Sequence, residues 1–251
     1  AGFQINLGQM TPSTGVTLLV TCTLTLGILI YGYFEARAIR VERIVLESSK
    51  KIDLRGRDLL RIVQLTDIHL GLMGDAARLD KILRLAESQS PDILVSTGDL
   101  VDGYIFDKNE IIARFKNIRT RVGKFAVVGN HEFYHGLEES IAFTEACGFT
   151  MLRGNRIDLP GNVCIAGVDD TLRGERAGDH GTSEAVMLSQ CQPMGFTLFL
   201  KHQPRVNPNT LGQFDLMLTG HVHSGQIFPF TLITYLAYGF KNGLTHLAKG
   251  S

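Results

Sequence analysis

The sequence predicts an α/β fold: a sandwich of two sheets flanked by helices, preceded by one transmembrane helix. Three observations predict it. Short apolar runs alternate with amphipathic segments between Arg61 and Cys147, the pattern of strand–helix–strand units that build a parallel sheet with right-handed crossovers. After Phe149 the apolar runs follow one another more closely, which suits a second sheet. No charged residue occurs from Ala1 to Phe34.

That uncharged start comes first along the chain. Gly15 to Phe34 reads GVTLLVTCTLTLGILIYGYF, long enough as a helix to cross a hydrocarbon core of about 30 Å. Tyr31, Tyr33 and Phe34 gather at one end, as interfacial aromatics do. Its threonines can bond back to helix carbonyls and so are tolerable there. A cleaved signal peptide has a basic leading region, which is missing, although Ala36-Arg37-Ala38 has an A-x-A shape. A buried soluble helix would rarely be apolar on all sides. The expectation is an uncleaved anchor over residues 1–40 and a globular domain over 41–251. Arg37, Arg40 and Arg43 follow the span and nothing basic precedes it, so the positive-inside rule places the domain in the cytoplasm. The chain does not begin with Met, which leaves upstream residues and further spans open.

Val41–Glu47 and Lys50–Leu54 contain alternating or β-branched stretches and are expected to pair as a hairpin. Arg61–Thr66 is the first core strand. Asp75–Gln89 is a helix, with Leu79, Ile82, Leu83 and Ala86 on one face, and Pro91 ends it. Ile93–Ser96 and Phe125–Val128 are buried strands; Asn109–Ile118 and Gly136–Cys147 are helices. Met151–Leu159 and Val163–Val168 are strands joined at Pro160-Gly161-Asn162, a turn signal. Leu172–Thr182 reads as a surface loop and Ser183–Gln190 as a short helix. Strands Phe196–Leu200 and Phe214–Leu218 follow. No closing strand precedes Ser251, so the domain is expected to continue past it.

Lys and Arg total 25, as do Asp and Glu, which removes the basic bias that nucleic-acid binding needs. Cys22, Cys147, Cys164 and Cys191 form no C-x-x-C pair. They are expected to be small apolar residues in a reducing compartment rather than a disulfide framework.

Five blocks at strand ends carry the chemistry: Asp67-x-His69 in QLTDIHLG, Asp99 in STGDLVDG, Asn130-His131 in VVGNHEFY, His202 in LFLKHQP, and His221-x-His223 in LTGHVHSGQ. Hard oxygens mixed with imidazoles are what two close divalent cations need. In this order the blocks resemble the D-x-H, G-D-x-x-D, G-N-H-[DE], H and G-H-x-H motifs of calcineurin-like metallophosphoesterases, over roughly Arg61 to Phe230. The GNHEFY, KHQP and GHVHSGQIFPF wording is similar to a bacterial membrane-anchored phosphodiesterase branch, some of whose members hydrolyse UDP-2,3-diacylglucosamine. Ser224 stands where the common motif has Gly.

The resemblance implies a four-layer αββα metallophosphoesterase sandwich on a bacterial inner membrane. It implies one metal held by Asp67, His69, Asp99 and His223, and another by Asp99, Asn130, His202 and His221, with Asp99 bridging. Manganese is the first expectation, iron or zinc the alternatives. A hydroxide shared by both metals attacks phosphorus in line. His131 then assists the leaving oxygen, oriented by Asp102, with Glu132 the rival partner. His135, His180 and His246 match no block and are read as non-ligands. Arg153, Arg173 and Arg176 could clamp a phosphate, but surface solubility is the preferred reading. Gln226–Phe240, QIFPFTLITYLAYGF, carries no charge; it reads either as core or as a loop dipping into the membrane beside acyl chains.

The expected function is hydrolysis of a phosphodiester or pyrophosphate, lipid-linked or nucleotide-sugar in kind. The alternatives are a general phosphodiesterase for soluble cyclic or aryl esters and, remotely, a non-catalytic scaffold.

Overall fold

A computed structural model describes residues 13–54, 56–57, 59–71, 76–170, 184–222, 236 and 243–247. Helix α1, Thr14–Arg37, begins where the Ser13 hydroxyl accepts from the Val16 N–H. Leu18, Leu19, Leu29 and Phe34 are all exposed, so the helix presents apolar side chains outward rather than to a core. By length and composition it can span a membrane.

Two four-stranded sheets follow. The first comprises β1 (Ile62–Leu65), β2 (Ile93–Thr97), β3 (Gly123–Val127) and β4 (Thr150–Met151), in that spatial order and all parallel. The second comprises β5 (Asn155–Leu159), β6 (Val163–Gly167), β7 (Phe196–Leu200) and β8 (Leu216–Leu218), again in order. There β5 and β6 are antiparallel and the remaining pairs parallel.

Three apolar cores hold these layers together. Ile93, Val95, Phe125 and Val127 of the first sheet meet Ile165, Leu198 and Leu200 of the second. On the outer side of the first sheet lie α2 (Ala76–Ser88), α3 (Lys108–Asn117) and α5 (Leu137–Ala146), contributing Leu79, Leu83, Phe115 and Phe143. Short α6 (Glu184–Ser189) sets Met187 and Leu188 against Cys164, Ala166 and Phe199 on the far side of the second sheet. The molecule is thus an α/β sandwich of a parallel and a mixed sheet flanked by helices. Strands β2, β6 and β7 are buried at every position, which is why they read as unbroken apolar runs rather than alternating ones. Truncating one such side chain to Ala, Leu198 for instance, should cost about 2–5 kcal/mol.

Four features depart from the sequence reading. Residues 39–48 form no hairpin; Val45 is 88% exposed, and among the described residues this β-branched stretch has no partner strand. Met151–Leu159 is not one strand but two, split between the sheets at Gly154, whose φ of 75° and N–H bond to the Gly167 carbonyl make the turn. A further helix, α4, occupies Asn130–His135. Finally, Cys164 and Cys191 are joined by a disulfide. Spacing alone could not reveal it, because the packing of α6 against β6 brings the two together. Cys147 is the buried apolar thiol expected, its pKa pushed up to about 12 by burial. The expected loop Leu172–Thr182 lies outside the described residues.

Candidate metal centre

The strands of both sheets deliver the candidate residues from their carboxyl ends, as open α/β sheets do. Asp67 and His69 follow β1, Asp99 follows β2, and Asn130 and His131 open α4 after β3. His202 follows β7 and His221 follows β8. Side-chain donors of Asp67, His69 and Asp99 lie within 4.8 Å of one another, and so do those of Asp99, His202 and His221. Asp99 belongs to both groups. His223 lies outside the described residues, as do His180, Arg173, Arg176 and nearly all of Gln226–Phe240.

The imidazoles converge. His202 Nδ1 is 2.8 Å from the Thr97 carbonyl, which can only accept, so Nδ1 carries the proton and Nε2 is turned inward. That Nε2 lies 3.1 Å from Asn130 Oδ1, 3.1 Å from an Asp99 oxygen and 3.2 Å from His221 Nδ1. His221 Nδ1 is 2.9 Å from the same Asn130 oxygen. Burial opposes charge on His202, yet the Asp99 carboxylate and the Thr97 carbonyl outweigh it and raise the pKa to about 9. Burial and the neighbouring His202 lower that of His221. Asp99 is buried, which alone would raise its carboxyl, but His202 and the His131 N–H hold it below the ordinary value. A cluster of donors crowded this closely, in oxygen and imidazole form, fits divalent cations.

Backbone geometry points the same way. Among the described residues, Asp67, His69, Asp99 and His221 have φ of 52°, 52°, 51° and 71°. Left-handed backbone in a non-glycine residue costs on the order of 1–3 kcal/mol and persists where surroundings enforce it, often at functional sites. Glycines make the room. A Cβ on Gly129 would stand 2.2 Å from Asp99 Oδ1, and one on Gly220 would stand 1.9 Å from Thr66 Oγ1 and 2.5 Å from Asp67 Oδ2. The Thr66 hydroxyl and the His221 N–H in turn donate to the Asp67 carboxylate.

Beside this cluster, His131 Nδ1 is 2.9 Å from Asp102 Oδ1, while its backbone N–H donates to Asp99. The other Asp102 oxygen is 3.2 Å from His69 Nδ1. Burial would raise Asp102, but the surrounding histidines lower it. Glu132, the rival partner, turns away: its buried carboxylate accepts from the N–H groups of Asp99, Val101 and Gly129 at 3.0, 2.9 and 2.8 Å. Burial raises its pKa against those three donors. It ties the loop after β2 to the loop after β3. Sequence reasoning missed this tie, although Glu at the third position of a helix start is a known capping signal. It also missed His135, which matches no block yet lies 2.7 Å from Asp102. Arg153 is paired with Asp169 at 2.8 Å and stands as a surface ion pair.

A two-sheet α/β sandwich with carboxylates and imidazoles grouped around a shared Asp99 defines a metal-dependent phosphoesterase with a dinuclear, calcineurin-like hydrolase site. The chain belongs to the calcineurin-like phosphoesterase family, whose sequence model matches residues 60–225. It is 35% identical over 223 residues to an uncharacterized metallophosphoesterase of Aquifex aeolicus, covering 88% of this chain and 84% of that protein. An uncharacterized metallophosphoesterase of Campylobacter jejuni is 36% identical over 192 residues, 76% of this chain and 51% of its own length. A Danio rerio protein described as a transmembrane protein with metallophosphoesterase domain is 30% identical over 201 residues, 76% of this chain and 46% of that one. The chain therefore spans about half the length of the latter two relatives. These matches place the family and do not single out the diacylglucosamine branch.

Proposed function

We propose that this chain is a membrane-anchored hydrolase of phosphodiesters or pyrophosphates. Residues 1–40 are the anchor and 41–251 the catalytic domain, a four-layer αββα sandwich. The observation that carries this is the placing of Asp99 in two donor groups, with the His131–Asp102 pair at their side. On this reading Asp67, His69, Asp99 and His223 hold one ion and Asp99, Asn130, His202 and His221 the other, manganese first, with iron or zinc as alternatives. Bound ions would supply Lewis acidity and acidify a water for attack on phosphorus.

The protein's own groups do the rest. Asp99 belongs to both donor groups, and its charge would offset repulsion between two bound cations. Thr97 fixes the His202 ring so that only Nε2 faces the site. Asp102 accepts from His131 Nδ1, which leaves the His131 Nε2 side, 4.0 Å from Asp99 Oδ2, to hydrogen-bond or protonate a departing oxygen. The neutral Asn130 amide adds a donor oxygen without adding negative charge.

The anchor favours a lipid-linked or nucleotide-sugar ester, UDP-2,3-diacylglucosamine in kind. A soluble cyclic or aryl phosphodiester is the second reading, favoured by the linker, whose Arg43 and Asp53 bond to Gln89 and Gly161 at the strand entrances, the opposite end from the metal centre. Arg37, Arg40 and Arg43 support a cytoplasmic domain at a bacterial inner membrane, whereas the Cys164–Cys191 disulfide suits an oxidising compartment. A turnover screen of manganese-loaded protein against acylated nucleotide-sugars, cyclic nucleotides and aryl phosphodiesters tests the function. Metal-dependent hydrolysis of one class is expected; loading that yields turnover of none would overturn it.

A further inference from the structure

The globular domain has two poles. Strands β1–β3 and β6–β8 leave their sheets at the metal centre, where Thr97 accepts from His202 and the Gln64 amide donates to the Thr219 carbonyl. Their entrances lie together at the other end. Asp92 and Arg121, just before β2 and β3, share a cavity of about 280 Å³ with Leu159 and Pro160, at the turn into β6.

The segment that follows α1 is fastened to this entrance pole. The Arg43 guanidinium donates to Gln89, just past the end of α2, at 2.9 and 3.1 Å. Lys50 pairs with Asp215, before β8, at 2.9 Å. The Asp53 N–H donates to the Gly161 carbonyl, in the β5–β6 turn. The same pole exposes apolar and basic side chains together. Val45 is 88% exposed and Leu59 61%. Lys51, Arg57 and Arg119 are exposed nearby, with no ion pair to a carboxylate among the described residues.

We infer that the entrance pole is a docking surface for anionic lipid headgroups, continuous with α1, and that the metal centre faces away from the bilayer. The inference rests on α1 being a membrane span, as the proposed function has it. Exposed Lys and Arg are drawn to anionic headgroups, and apolar neighbours such as Val45 and Leu59 can enter the interface beside them. Reach decides the orientation. Between the end of α1 and the Arg43 fastening, Ala38 to Glu42 extend at most about 18 Å. Strand β2 alone is about 17 Å long, and loops lie beyond each end of it. The free tether is too short to turn the site back onto the membrane that holds α1. The substrate then reaches the metals from the aqueous side, which favours the soluble phosphodiester of the second reading over an ester held in that leaflet.

The test uses the full chain in nanodiscs, in a Cys22→Ser background. A fluorophore is placed at Glu87→Cys, near the entrance pole, or at Glu138→Cys, near the metal end. Energy transfer to acceptors on lipid headgroups reports the distance of each from the bilayer. Strong transfer from the first label and weak transfer from the second is expected with phosphatidylglycerol present. The variant Lys51→Gln/Arg57→Gln/Arg119→Gln should bring the contrast in anionic discs down to that in discs of phosphatidylcholine alone, where the same changes should have no effect. Equal transfer from both labels, or stronger transfer from the metal end, would overturn the orientation. An unchanged contrast in the triple variant would overturn the headgroup contact. No turnover is needed, so these outcomes are separate from the fate of the phosphoesterase reading.

Discussion

The two sheets contribute unlike halves of the centre. The parallel sheet brings the oxygen donors Asp67, Asp99 and Asn130, together with His69; the mixed sheet brings the imidazoles of His202 and His221. Asp67, His69 and Asp99 form a group within the parallel sheet, whereas the group of His202 and His221 is completed only by Asp99 from across the seam. Metal affinity is therefore coupled to the seam between the sheets, the apolar layer of Val95, Val127, Leu198 and Leu200. A centre built across a seam reports on the docking of the sheets as well as on its own ligands.

The comparison breaks hardest at Asp99. Asp99→Ala should remove both metals together, taking elemental analysis from about two ions per chain towards none and turnover to background. His202→Ala, which strips only the mixed-sheet half, should leave an ion on Asp67 and His69; loss of both ions would mean the halves are not separable. His131→Ala keeps all metal donors and should lower turnover by roughly 10²–10⁴. That loss should shrink for nitrophenyl esters, whose leaving group needs no proton. An equal loss for all leaving groups would instead assign His131 to orientation.

Smaller effects test the supports on each side. On the parallel sheet, Glu132→Gln keeps the shape but offers fewer acceptors to the three buried N–H groups it serves. It should cost about 1–3 kcal/mol of stability, read as a lower denaturant midpoint. On the mixed sheet, Cys164→Ser with Cys191→Ser should cost a similar ~3 kcal/mol while leaving metal content unchanged.

The least effect concerns pH. The His202 pKa, raised to about 9 in the metal-free protein, makes its charged pairing with Asp99 a source of stability. That contribution is full below the unfolded value near 6.5 and is lost as pH rises through the folded one. The Tm of chelator-treated protein should fall across that window, and that of metal-loaded protein should not follow.

Much of this was legible in the sequence because strand ends carry the chemistry and buried strands carry the apolar runs. Asp67, His69, Asp99, Asn130, His202 and His221 could be read directly from short blocks, and the structure brings them within a few ångströms. The linker was not legible. Its β-branched Val41, Ile44 and Val45 look like a strand, but pairing depends on a partner that the local pattern does not encode. The break between β4 and β5 was hidden for a similar reason, since one short stretch serves two sheets through a turn at Gly154. The roles of Glu132 and His135 depend on what α4 packs beside, and no spacing rule conveys that.

The bond between Cys164 and Cys191 encloses the segment that links β6 to α6. A protease that cuts this segment once would leave the two pieces covalently joined. The amino-terminal piece would keep Asp67, Asp99 and Asn130, and the other would keep His202 and His221. Nicked protein should run as a single band on a non-reducing gel and as two bands after reduction.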